Sequence, residues 1–237
     1  VPFSAYVFDL DGTLVDSLGD LADSMNHVLE ARGLPTHPED AYRHFVGDGV
    51  RALVERSLPA EVRENDETVD EVLAAYRSWY GDHMFDRTTT YPGIRPLLEQ
   101  LAADRRPLAV LSNKPDGATR QVVDQLFPDT PFLSVLGARD GVPRKPDPSA
   151  ALEALAVLGT RAEETAFVGD SDTDMLTARN AGLVPVGAAW GFRGREELLR
   201  AGARWVCETP EELAGLPEVA PPEPPEASSA ERAPESR

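Results

Sequence analysis

The feature that most constrains the fold is a change of rhythm along the chain. One short apolar run, Ala5-Tyr6-Val7-Phe8, opens the sequence and breaks off at Asp9-Leu10-Asp11-Gly12-Thr13. From there to about residue 90 only helical spacing appears. Leu18, Leu21, Ala22, Met25, Val28 and Leu29 mark a first helix ended by Gly33 and Pro35, and further helical patterns lie near 39–45, 50–57 and 67–85. Beyond Tyr91-Pro92-Gly93, apolar runs at 108–112, 132–136, 165–169 and 184–188, and a weaker one at 204–207, alternate with helical patterns. Strands alternating with helices imply βαβ units, hence a parallel sheet with helices on both faces. The expected architecture is α/β: a sheet built from residues 1–15 and 89–216, with an all-helical insert over 16–88.

Composition narrows the class. The chain has 237 residues and a net charge of −18, which argues against nucleic acid or an anionic membrane as partner. No segment reaches the ~18 consecutive apolar residues of a membrane span. Val1-Pro2-Phe3-Ser4 has neither a basic nor a long apolar region, so no secretory signal is expected. The single cysteine, Cys207, allows no internal disulfide and no cysteine-rich metal site, and a cytoplasmic setting is the simplest expectation. From Leu216 onward the composition turns to Pro, Glu, Ala and Ser, and residues 217–237 are expected to be a disordered tail.

Chemistry concentrates at the strand ends. Strand faces alternate, so Asp9 and Asp11 leave the first strand on the same side. Two carboxylates this close are costly unless a cation or a shared proton offsets them. An Asp-x-Asp by itself reads equally well as a polar turn. The basic residues add a second signal: of 23, only Lys114 and Lys145 are lysines. A compact ammonium and a planar guanidinium are not interchangeable at a tight site. Compositional bias is the plainer explanation of so few lysines.

Four segments fall at strand ends in order: Asp9-Leu10-Asp11-Gly12-Thr13, Ser112-Asn113-Lys114, Lys145-Pro146 and Gly169-Asp170-Ser171-Asp172-Thr173-Asp174. Together they resemble the motif set of the haloacid dehalogenase superfamily, over about residues 5 to 210. The resemblance implies a Rossmann-like core with a C1-type helical cap, and a Mg²⁺-dependent phosphatase working through an aspartyl-phosphate. It makes Asp9 the nucleophile and Asp11 the acid, then base, for leaving group and water. The metal ligands implied are the Asp9 carboxylate, the Asp11 backbone carbonyl and Asp170, with Asp174 behind them on a helix starting at Ser171. Helix capping is the plainer reading of Asp170-Ser171-Asp172. Ser112 and the Asn113 N–H would hold phosphoryl oxygens, Lys145 would offset the charge of Asp9 and the phosphate, and Thr13 would support the loop.

Substrate choice is expected in the insert. His44-Phe45-Val46-Gly47-Asp48-Gly49-Val50-Arg51 resembles the V-G-N-G cap loop of phosphoglycolate phosphatases, with Asp48 replacing Asn. Two glycines before a helix expose backbone N–H groups that suit a small anion, and Arg43 or Arg51 would add charge. A plain helix-turn-helix joint is the alternative. The resulting expectation is a monomeric or homodimeric enzyme acting on a small anionic phosphate ester, foremost 2-phosphoglycolate. Rivals are a pyrophosphatase, a β-phosphoglucomutase-type transferase, a phospho-accepting receiver and an inactive binding protein on the same fold. Against the receiver stand the helical insert and Asp11.

Overall fold

The computed structural model describes residues 3–217, so the expected tail lies outside the described residues apart from Pro217. Six strands form one wholly parallel sheet: β1 (Ala5–Phe8), β4 (Leu108–Pro115), β5 (Phe132–Ala138), β6 (Thr165–Gly169), β7 (Val184–Ala188) and β8 (Trp205–Cys207). Their spatial order is β5-β4-β1-β6-β7-β8. The chain goes one way from β1 to β4 and β5, then returns to β6 on the other side. The C-terminal ends of β1, β4 and β6 are thus neighbours at the switch point, where open α/β sheets bind ligands. The expected strands are all present.

Alternation along β1 explains the layers. Ala5 and Val7 face one side with Ala109, Leu111 and Phe167, against small residues of α8 (Ser149–Leu158) and Ala178 of α9 (Asp172–Asn180). Tyr6 and Phe8 face the other side with Leu108, Val110 and Val168. There they meet α6 (Ile94–Ala103), α7 (Asp116–Leu126) and Leu213 of the terminal α11 (Pro210–Ala214). The short α10 (Arg195–Ala201) packs beside β7 and β8.

Between β1 and β4 the chain forms α1 (Leu18–Glu30), α2 (Tyr42–Phe45), α3 (Val50–Ser57), α4 (Ala60–Arg63) and α5 (Asp66–His83). The 39–45 pattern resolves into a tight turn and the one-turn α2, and the short α4 follows Pro59. The apolar faces of α1, α3 and α5 join the cluster that contains Tyr6 and Phe8. This segment is entered and left through a two-stranded antiparallel ladder, β2 (Val15–Asp16) with β3 (Thr89–Thr90). Two-residue strands are too short to show alternation, which is why the sequence pattern misses them. No helix among the described residues is long and apolar enough to cross a membrane.

Candidate active site

Asp9 follows β1 directly and is buried. Its Oδ1 accepts the Leu10 N–H at 2.7 Å and pairs with Lys145 Nζ at 2.8 Å. The same ammonium reaches Asp174 Oδ1 at 2.7 Å. Asp170, just beyond β6, completes the group: Asp9, Asp170 and Asp174 each offer an oxygen within 4.8 Å of the others. Burial, with the charge of Asp174, pushes the Asp9 carboxyl up to about 7, against the pull of Lys145. Burial also holds Asp170 well above the ordinary carboxylate range, with Asp174 and Asp9 adding to it. Burial alone would lower the Lys145 value, but Asp174 and Asp9 outweigh it and raise it.

Three carboxylates facing one ammonium leave two negative charges uncompensated when all are ionised. The donors are hard oxygens, so the cluster fits a divalent, oxygen-preferring cation.

Local backbone chemistry fixes each oxygen. Asp170 accepts the Thr13 hydroxyl at 3.1 Å and the Phe192 N–H at 2.8 Å, so Thr13 supports Asp170 directly. Gly12 (φ +85°) is required here, because a Cβ would lie 2.3 Å from Asp170 Oδ2. Gly191 is required on the opposite side, where a Cβ would meet the Gly12 carbonyl at 2.1 Å. Helix α9 starts at Asp172 rather than Ser171; Ser171 is its N-cap and forms a capping box with Asp174. Asp170 therefore precedes the helix. Asp174 accepts the Ser171 N–H at 3.1 Å and its hydroxyl at 2.6 Å while holding Lys145.

Asp11 stands apart from this cluster. Its two carboxylate oxygens accept from Lys114 Nζ at 3.0 and 3.1 Å, and Ser17 Oγ donates to it at 2.7 Å. Lys114 Nζ donates further to Tyr80 Oη on α5, at 2.7 Å. Each of the chain's two lysines thus holds one of the two motif carboxylates. β4 runs through to Pro115, with its register shifted between Leu111 and Pro115, so Ser112-Asn113-Lys114 sits on an irregular strand end. Such irregularities re-aim side chains beside a site. Ser112 is buried at the cavity wall, and its Oγ accepts the Lys114 N–H at 3.2 Å. The Asn113 side chain clamps the backbone of Lys145 and donates to the Gly47 carbonyl at 3.0 Å.

A cavity of about 310 Å³ opens over this sheet edge. Asp9, Asp11, Ser112, Asn113, Lys114 and Asp170 form its floor, and Gly47, Gly49 and residues of α5 form its roof. Asp48 points away, to Arg56 and to the Thr173 hydroxyl at 3.0 Å, so its charge does not face the cavity. Arg51 is outside the cavity, held by Glu55, Asp66 and Asp70. Arg43 is also outside, bonded to Asp40 and the Gly191 carbonyl. Neither arginine reaches the place expected of it, because neighbouring carboxylates and carbonyls hold it first. The sequence reading missed Tyr76, Arg77 and Tyr80 on α5 and the 190–193 loop. The only available signal was the aromatic and glycine cluster Trp190-Gly191-Phe192 after a strand.

A parallel sheet whose switch point gathers Asp9, Asp170, Asp174 and Lys145 defines a class of hydrolase. Residues 6–188 match the haloacid dehalogenase-like hydrolase model, and the chain belongs to that family. It is a phosphatase. Phosphoglycolate phosphatases of Rhodospirillum rubrum and Chromobacterium violaceum are both 36% identical to it; they align over 86% and 79% of this chain respectively, and over 86% of their own length in each case. A crystal structure from Lactobacillus delbrueckii subsp. bulgaricus matches with a TM-score of 0.84 at 31% identity, over 90% of this chain and 97% of that one.

Proposed function

We propose that the protein is a Mg²⁺-dependent phosphomonoester hydrolase whose substrate is 2-phosphoglycolate, and that the helices over 16–88 act as its cap. The observation that carries the chemistry is Lys145, shared at 2.8 and 2.7 Å between Asp9 and Asp174 with Asp170 alongside. In this reading Asp9 attacks phosphorus in line. The bond to the ester oxygen breaks with its electron pair, and that oxygen takes a proton from Asp11, releasing glycolate. Asp11, now ionised, removes a proton from water, and the water oxygen attacks the aspartyl-phosphate. The bond to Asp9 breaks, inorganic phosphate leaves and Asp9 is restored.

Lys145 orients Asp9 and counters the approaching phosphate charge, and Asp174 holds Lys145 in place. Mg²⁺, bound by Asp9, Asp170 and the Asp11 carbonyl, would neutralise charge on the phosphoryl oxygens. Ser112 and the Asn113 N–H hold the same oxygens. Bonds from the insert to the sheet edge, Asn113 to Gly47 and Lys114 to Tyr80, support a lid that keeps bulk water out.

The substrate assignment is supported by the names of the relatives and by a cavity of about 310 Å³, sized for a small ester. Phosphate release across 2-phosphoglycolate, acetyl phosphate, hexose phosphates and pyrophosphate tests it. The expected outcome is the highest kcat/KM for 2-phosphoglycolate. A tenfold preference for pyrophosphate or a hexose phosphate would overturn the assignment.

A further inference from the structure

The roof of the cavity contains polar hydrogens that the protein itself leaves without acceptors. Tyr76 lines the cavity, is 2% exposed, and its hydroxyl has no hydrogen-bond partner among the described residues. Buried hydroxyls are seldom left so, because the lost hydration is not replaced. Tyr80 stacks on Tyr76 with ring centroids 5.5 Å apart and planes 7° from parallel. Its oxygen accepts from Lys114 Nζ, an ammonium that has no lone pair to offer in return. The Tyr80 proton therefore has no acceptor in that bond. Burial pushes both phenols well above their ordinary range, so both stay neutral donors.

Three cations line the same cavity. Lys114 is filled by the two Asp11 oxygens and Tyr80. Arg193 is held by Glu197, by His44 and by the Val46 carbonyl. Arg77 forms no ion pair among the described residues and is exposed toward solvent. It lies three residues before Tyr80 on α5, on the same helix face, about 5 Å away along the surface. Two neutral O–H donors and an uncommitted guanidinium thus line the same cavity as Asp9.

We propose that Tyr76, Arg77 and Tyr80 form the subsite for the leaving group's own anion, with the two hydroxyls and the guanidinium donating to a carboxylate. A carboxylate accepts only, so it matches a wall that donates only. This assignment rests on the reading of 2-phosphoglycolate as substrate, and it moves recognition of the carboxylate from Arg51 and the Gly47-Asp48-Gly49 loop to α5.

The test compares 2-phosphoglycolate with acetyl phosphate, which lacks a second anionic group. Tyr76→Phe, Tyr80→Phe and Arg77→Gln are assayed on both. Each is expected to lower the ratio of kcat/KM for 2-phosphoglycolate to that for acetyl phosphate by about tenfold, mainly through KM, as loss of a charge-assisted hydrogen bond does. Arg77→Lys is expected to recover part of the loss. The melting temperature of each variant reports that it folds. Ratios within about twofold of wild type in all three variants overturn the subsite while leaving the substrate reading intact. A wild-type enzyme that turns over acetyl phosphate but not 2-phosphoglycolate overturns the substrate reading, and this assignment with it.

Discussion

At the scale of single residues, Asp9 and Asp11 are the same side chain two positions apart, and their partners give them different chemistry. Asp9 sits in a buried group with Lys145, Asp174 and Asp170; Asp11 is held by Lys114 and Ser17. Asp9→Asn keeps the size and the Lys145 contact but removes the nucleophilic oxygen pair. It is expected to lower kcat by about 10⁴-fold or more with the melting temperature preserved. Lys145→Met leaves Asp9 and Asp174 facing each other without a counter-charge, and is expected to lower kcat by about 10²–10³-fold. Measurable turnover in Asp9→Asn within tenfold of wild type would remove Asp9 from the nucleophile role. The Asp9–Lys145 pairing followed from the motif order. The Lys114–Asp11 pairing did not, because the resemblance gives Lys114 no partner and only the placement of β4 beside β1 joins the two. Tyr76 and Tyr80 have the same helical spacing as core residues, and periodicity does not distinguish a cavity wall from a core.

At the scale of elements, the strands were legible because each is a short apolar run between turn residues, and right-handed crossovers place helices on both faces of the sheet; the strand order was not. The joint between insert and sheet was not, because β2 and β3 are two residues each. What fixes that joint is Asp20 on α1, which is 2% exposed. Its carboxylate accepts the Arg87 N–H at 2.9 Å, the Thr88 N–H at 2.8 Å and the Thr88 hydroxyl at 2.6 Å. One buried side chain thus ties the start of the insert to its end, immediately before β3. Asp20→Ala strands the buried Thr88 N–H and the part-buried Arg87 N–H and is expected to lower unfolding free energy by about 2–4 kcal/mol. Asp20→Asn, able to satisfy part of the same set, should lose less. Urea denaturation checks the order, and an alanine variant as stable as wild type would show that the joint is held elsewhere.

At the scale of the whole molecule, a net charge of −18 opposes an anionic substrate, but the charge is unevenly placed. Nine of the nineteen arginines among the described residues pair with carboxylates, as Arg51 and Arg87 do, while both lysines are buried at the catalytic edge. The strain that remains is internal, in the acidic cluster, and it has a pH signature. The Asp9 carboxyl is pushed from 3.8 to about 7, chiefly by burial, and Asp170 is raised for the same reason. Between about pH 4 and 7 the folded protein therefore holds protons that the unfolded chain has released, so stability falls as pH rises through that window. A divalent cation on these carboxylates opposes the effect and does so most fully above pH 7, where they are ionised. In EDTA the melting temperature is expected to be lower at pH 8 than at pH 5.5, and millimolar Mg²⁺ should raise it more at pH 8 than at pH 5.5. Asp170→Asn should lose most of the Mg²⁺-dependent rise while still folding. Equal Mg²⁺ shifts at both pH values, or a full shift in Asp170→Asn, would place the stabilising ion outside the Asp9, Asp170 and Asp174 cluster.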